Sequence, residues 1–498
     1  MGPILDEQGL EQGGINSSDL YKVFGKEQLT DAQKSGLGVK LGNVTIGSVG
    51  QADDTGLVTN DIQKLFYLLE LTKIFCTKYH VELCAEKTKL QVYSTKSMTS
   101  AVEYAKATHN IQINGEKINF STSAEHVGLL QSTAGNGPTI LERFKAHRKA
   151  LNGVLHTGMA RGHRGNPASG LHIDKLYAIP VLLSGLAPLV LSETEIVMID
   201  QHHKETLRSL LRLHQKSPRG VIYFLAGSLP GSALLHLRQL SIFGMISRLP
   251  GNILHQHASD IFSSVTISPK SWFHQIRKWC LLYSLPHPLQ LLSSPVSKSA
   301  FRNLVRKKVV DYWECFLRAE SDPQTSLTYF RPCYMSITST HPLFTTAGSS
   351  PAKVAMATVQ AVMLSGRYRT EALCSHWSRN KRGVCLLSDE CSDTKEDIPH
   401  IIVHCPALQM TREMLTTFTS GYLEKMPPPA RPILTQLCSP ENPLFCQFLL
   451  DCSSLPAVIS AVQNHGHLIL QHFFCVTRTW IFVLHRTRMK MLGRWNTC

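Results

Sequence analysis

The feature that most constrains this chain is a change of character at Gly135-Asn136-Gly137-Pro138. Before it, short β-branched runs alternate with helical patterns. After it, residues 139 to about 255 hold long leucine-rich segments with basic residues at other positions. Apolar residues recurring every second position suit a half-buried strand, and a period of about 3.6 suits a helix face. The chain therefore reads as α+β, strands first and helices beyond.

Within the first region, residues 44–49 are rich in β-branched side chains at strand spacing, and Gly56-Leu57-Val58 resumes the pattern beyond Gln51-Ala52-Asp53-Asp54. Two strands joined by a turn carrying Asp-Asp-Thr-Gly predict a β-hairpin. A helix is expected from Asn60 as cap, with Gln63 three residues on and Ile62, Leu65, Phe66 and Leu69 marking one face. Further strands are expected at 81–84, 90–93, 118–120 and 126–130. Past the change, residues 301–318 read as a basic helix. The Ser/Pro-rich stretch 292–299 and the Ser/Thr/Pro-rich stretch 338–351 read as linkers.

Of 498 residues, 43% are hydrophobic and 17% charged, which excludes a chain that is mostly a disordered polar tail. Lys and Arg number 51 against 36 Asp and Glu, and the net charge of +15 favours a polyanionic partner, nucleic acid or an anionic surface. The 14 cysteines are too sparse for a disulfide-stapled scaffold, and no basic-then-apolar leader opens the sequence. An intracellular setting, nuclear or cytoplasmic and not secreted, is expected. The longest mainly apolar stretch, residues 178–191, has 14 residues. A span needs about 20, so a soluble chain with no membrane partner is expected.

Adjacent carboxylates at Asp53 and Asp54 repel one another and need solvent or a cation. Magnesium resolves the conflict with hard oxygen ligands, and two such ions activate an attacking oxygen and neutralise a leaving one in phosphoryl transfer. An isolated Asp-Asp-Thr-Gly is more often a plain solvated turn, so its neighbours carry the weight. Gln12-Gly13 lies upstream, followed by Ser17-Ser18; Lys87-Thr88 lies downstream beyond a helix; His126-Val127-Gly128 comes last. That order resembles the palm of reverse transcriptases from non-LTR retrotransposons, over roughly residues 8–132.

The resemblance implies a partial right-hand polymerase palm, a helical thumb-like region, and RNA-templated DNA synthesis with magnesium, an RNA template, a DNA primer and deoxynucleotides. It assigns Asp53 and Asp54 to the catalytic metal, and Gln12 and Gly13 to template and incoming nucleotide. Lys87 would sit near the leaving pyrophosphate. His126 and Gly128 would belong to the primer grip, the glycine letting backbone turn close to the primer. Gln51 stands where the family usually has an aromatic, which alters nucleotide or primer contact. The family's palm also needs an Asp on a strand well upstream of the Gln-Gly segment, and Asp6 is too near Gln12 to be that residue. The expectation is a carboxy-terminal part of such an enzyme, with little or no polymerase activity alone.

Cys385-x5-Cys391-x8-His400-x4-Cys405 gathers three thiols and an imidazole within 21 residues. A Cys3His set closes the tetrahedron of zinc and implies a structural site; non-LTR elements often end in a similar knuckle. His404 competes as fourth ligand, Cys374 and His376 lie just upstream, and buried free cysteines are the plain alternative.

Arg143, Lys145, Arg148, Lys149, Arg161 and Arg164 follow the palm, where cations would neutralise phosphates regardless of sequence. Trp272, Arg277, Lys278 and Trp279, and later Arg367, Tyr368, Arg369 and Trp377, mix cations with rings able to stack on unpaired bases. The organisation expected is a partial palm over 1–133, a helical thumb-like region over 134–255 and a helical connection over 256–350. A small zinc-binding module over 351–425 and a helical basic tail over 426–498 would follow. The alternative to a polymerase is a non-catalytic nucleic-acid-binding protein using the basic helices and the zinc module.

Overall fold

The computed structural model describes residues 17–41, 44–51, 54–93, 103, 111–126, 128–155, 165–378 and 382–494. The described residues are mostly helical, with short strands paired into five two-stranded sheets, an α+β composition. By internal packing the chain divides into two units. The first comprises residues 1–143, 184–195 and 238–303; the second comprises 144–183, 196–237 and 304–498.

In the first unit, helices Ser17–Lys34 and Ile62–Tyr79 share an aromatic seam, the Phe24 ring lying 5.2 Å from Phe75 and 5.0 Å from Tyr79. Strand β1 (Val39–Leu41) pairs with β2 (Val44–Ile46), and β3 (Ser48–Gln51) with β4 (Asp54–Leu57), both antiparallel. The expected strand over 44–49 therefore breaks at Gly47. A side chain there would come within 2.9 Å of the Ala32 carbonyl, so glycine lets the strands rest on the first helix. The hairpin is tighter than expected: Gln51 faces Asp54 across the ladder, so Asp54, Thr55 and Gly56 belong to β4 and not to the turn. The cap of the second helix is Asp61 and not Asn60, because the Asp61 carboxylate accepts the Gln63 N–H at 2.8 Å.

No strand forms over 81–84. The helix ends on His80 at a positive φ of 54°, and the Val81 N–H bonds back to the Cys76 carbonyl. Strand β5 is only Lys89–Leu90. Asn114-Gly115, both at positive φ, turns β6 (Gln112–Ile113) into β7 (Glu116–Lys117). Asn-Gly is a strong hairpin signal, and the periodicity reading passed over it. Strand β8 (Asn119–Phe120) runs parallel to β5, and β9 (Ser123–His126) pairs with β10 (Leu129–Ser132). Leu69, Ala85, Ile111, Ile113 and Ile118 form the buried cluster beneath these pieces. The later, helical stretches of this unit close on a chain of buried amides. Trp279 Nε1 donates to Gln239 Oε1 at 2.8 Å, Gln239 Nε2 to Gln275 Oε1 at 3.3 Å, and Gln275 Nε2 to the Leu191 carbonyl at 2.6 Å.

The second unit is built round the helix Leu468–Met491, which packs on Pro351–Leu364, Gln409–Leu423, Phe445–Asp451 and Pro456–His465. Phe473, Phe474, Trp480 and Ile481 are fully buried along it, and Trp480 Nε1 donates to Thr419 Oγ1 at 2.8 Å. Two arginines are buried there as well. Arg478 donates to the Leu343 carbonyl at 2.8 Å and to Thr346, and Arg488 grips Glu396 through bonds of 2.9 and 2.7 Å. Residues 338–351 are packed and not a linker. Leu343 and Phe344 are fully buried, and the His341 N–H donates to the Leu225 carbonyl at 3.1 Å. Its prolines open the helices Pro342–Thr345 and Pro351–Leu364, the position where a missing N–H costs nothing. Two helical stretches, Phe445–His465 and Leu468–Met491, are long and apolar enough to cross a membrane, and 61% of an apolar 18-residue window in each is buried inside the protein. A search for unbroken apolar runs overlooks both, because polar residues interrupt them.

Candidate metal centre and acidic hairpin

Local hydrogen bonds bring the four Cys/His ligands together. The Cys385 N–H donates to the Thr394 carbonyl and the Thr394 N–H to the Cys391 carbonyl, both at 2.9 Å, folding the two cysteines toward each other. Ser388 caps the short turn Asp389–Cys391. Asp397 accepts the His400 N–H at 3.0 Å and starts a π-turn over His400–His404, whose wide pitch sets His400 and Cys405 on one side. Cys385, Cys391, His400 and Cys405 are all buried, with their ligand atoms within 4.8 Å of one another.

Two observations fit a metal ion. The Cys385 and Cys405 sulfurs are 3.9 Å apart. Two thiolates on one tetrahedral ion of zinc's size are about 3.8 Å apart, and a disulfide's sulfurs about 2.05 Å. Both ring nitrogens of His400 are buried with no hydrogen-bond partner in the protein, a costly state unless a ligand meets one of them. Burial, with Cys385 beside it, pushes the Cys405 thiol up to about 12; burial also raises Cys391 and lowers His400. Burial thus favours the thiol forms of Cys405 and Cys391 and the neutral form of His400, until a cation displaces the thiol protons. His404 and His376 are exposed, and Cys374 stands outside the group. The ligand choice left open by spacing is thereby made by burial.

Behind the ligands, Glu396 is fully buried and accepts the Glu371 N–H at 2.6 Å in addition to the Arg488 guanidinium. Arg488 also donates to the Arg369 carbonyl at 3.1 Å. The segment between the second and third ligand is therefore pinned to the helix Leu468–Met491.

The acidic hairpin is the opposite kind of place. Gln12, Gly13 and Asp53 lie outside the described residues, as does the side chain of Gln51. Asp54 opens β4 with its side chain 60% exposed, and its Oδ2 lies 4.0 Å from Nδ1 of His126 at the end of β9. Gly128 sits at a positive φ of 67° in the turn after His126, and its carbonyl accepts from Arg143 at 3.1 Å. Lys87 is exposed in the turn before β5. Two of the residues singled out by motif order, Asp54 and His126, are thus neighbours across separate hairpins.

Of the rings expected to stack on bases, Trp279 and Tyr368 are core residues instead and Trp272 is half-buried. Trp279 is buried in the amide chain described above, Trp272 donates Nε1 to the Ala187 carbonyl at 2.8 Å, and Tyr368 is buried against His485. Trp377 alone of these four is exposed. One cluster escaped the sequence reading. His147 Nε2 lies 3.0 Å from Asp174 Oδ1, His202 Nε2 lies 3.0 Å from His147 Nδ1, and His203 Nε2 lies 3.8 Å from Asp174 Oδ2, all buried. The adjacent His202-His203 pair is its only trace in the sequence.

The chain matches no family model and no curated protein.

Proposed function

We propose that the chain is part of a reverse transcriptase of the non-LTR retrotransposon type, working by two-metal phosphoryl transfer on an RNA template and DNA primer. The observation that supports it most is the meeting of two hairpins, Asp54 of β4 within 4.0 Å of His126 at the end of β9, from segments ordered as in that family. Magnesium would supply the charge that activates the primer oxygen. Asp53 and Asp54 hold the ion, Gln12, Gly13 and Gln51 align template and nucleotide, His126 and Gly128 hold the primer, and Lys87 meets the pyrophosphate. The Cys3His group holds a structural zinc ion. The Leu468–Met491 helix is a core helix and not a span, since its buried Arg478 and Arg488 spend their charge on protein partners.

Primer extension on an RNA template with magnesium, comparing the chain with Asp53→Asn/Asp54→Asn, tests this directly. Weak extension at most is expected of the chain alone; any extension above the double variant supports the catalytic reading, and none, with RNA still bound, leaves the second reading. That reading is a non-catalytic nucleic-acid-binding protein. It is favoured by Lys145, Arg148 and Lys149, all exposed on the helix Gly137–Val154, together with the metal-ready module. Its RNA affinity falls steeply with salt.

A further inference from the structure

After the helix Glu193–Leu210 the chain makes a tight turn in which the Ser217 N–H donates to the His214 carbonyl at 2.9 Å. The Lys216 N–H donates to His214 Nδ1 at 3.1 Å. That bond needs a lone pair on Nδ1, so the imidazole is neutral and its plane is fixed. The ring lies nearly flat on Trp377, with centroids 5.9 Å apart and planes inclined by 12°. Trp377 follows the helix Glu371–Ser375, its N–H held by the Cys374 carbonyl at 3.1 Å, and the residue is 44% exposed. Lys216 Nζ stands 5.7 Å from the indole centroid. Burial lowers the His214 pKa, and the charges that lower it further are all cations: Arg369, Arg367, Lys216 and Arg208. Arg367 Nε is buried with no hydrogen-bond partner, and Arg369 is exposed.

The exposed indole presents at the surface a flat ring able to stack on a planar partner. Here it is braced by the His214 ring, with Lys216 beside it and Arg367, Arg369 and Arg208 near enough to act on His214. An acidic peptide would satisfy the cations and leave the indole bare, whereas a nucleotide brings a π-face and a phosphate together. A duplex hides its base faces in its own stack, so the fit is to unpaired strands. Resting on the nucleic-acid reading above, we propose that Trp377 is a stacking platform for an unpaired base of single-stranded nucleic acid, with Arg367, Arg369 and Lys216 meeting the flanking phosphates.

The test is fluorescence anisotropy of a labelled oligo-uridylate titrated with the full chain, alongside a duplex RNA of equal length. Trp377→Ala is expected to weaken single-strand binding roughly tenfold, while Trp377→Phe keeps most of it. Arg367→Gln/Arg369→Gln is expected to lower the slope of log affinity against log salt by about 1.4, two phosphate contacts on a single strand. Thermal unfolding of each variant checks that the fold is intact. Unchanged single-strand affinity in Trp377→Ala, or a preference for the duplex, overturns the platform while salt-sensitive binding by the parent chain keeps the broader reading. Absence of any RNA binding by the parent chain overturns both. Loss of self-association in Trp377→Ala with RNA affinity unchanged would assign the patch to protein and overturn the proposal.

Discussion

The Cys3His group and the Asp54 hairpin both looked like metal sites in the sequence, and the folded chain treats them in opposite ways. In the first, four ligands are buried and mutually within 4.8 Å, and both ring nitrogens of His400 lack a hydrogen-bond partner. In the second, a carboxylate stands in solvent with an imidazole 4.0 Å away. A closed site advertises its ligand because burying unmet polar atoms is expensive. An open site carries no such debt, and its chemistry has to be found by assay.

The contrast breaks most easily at the closed site. Chelation, or Cys385→Ser/Cys405→Ser, is expected to lower Tm by roughly 10 °C or more, read by calorimetry, and to abolish bound zinc measured by elemental analysis. Protein purified without chelator that carries no zinc and melts as the chelated form does would remove the metal reading. Next in size is the ion pair behind the ligands. Glu396→Gln or Arg488→Met alone leaves a buried partner unmet and is expected to cost about 3–5 kcal/mol in urea denaturation. The double variant Glu396→Leu/Arg488→Met should recover much of that.

Acid sharpens the comparison further. Burial holds His202 at about 4, below the 6.5 of a free imidazole. Burial alone would raise Asp174, yet the hydrogen bond from His147 and the nearby His203 hold it at about 2 against an ordinary 3.8. Both folded values are depressed, so the unfolded chain takes up protons first and stability falls with pH. The His202 contribution is lost between pH 6.5 and 4 and that of Asp174 between 3.8 and 2. Replacing His202 by Phe should flatten the upper window, seen in Tm against pH. The smallest effect belongs to the open site: Asp54→Asn should change stability by no more than ~0.5 kcal/mol, as for other exposed positions.

What could be read beforehand follows the same division. The β3–β4 pair, the helix from Ile62 and the helices past Gly137 were legible, because their apolar spacing and turn residues act locally. The four ligands were legible as a set, but only burial separates His400 from His404. The strand expected over 81–84 was overridden by the left-handed helix end at His80, and residues 338–351 by long-range packing of Leu343 and Phe344. Trp279 and Trp377 look alike as basic-flanked tryptophans; one is a core residue because Gln239, forty residues earlier, takes its N–H. Partners that far away in the chain leave no local mark.

The place of the helix Leu468–Met491 in the order of synthesis has its own consequence. It covers Pro351–Leu364, Gln409–Leu423 and Phe445–Asp451, all of which leave the ribosome before it. At ordinary elongation rates the first of these waits on the order of ten seconds for its cover. During that interval the face that Pro351–Leu364 turns to this helix is uncovered, and Glu396 lacks the Arg488 guanidinium. A nascent chain paused just short of residue 468 would therefore be a client for chaperones, and its release would depend on two dozen residues still to come.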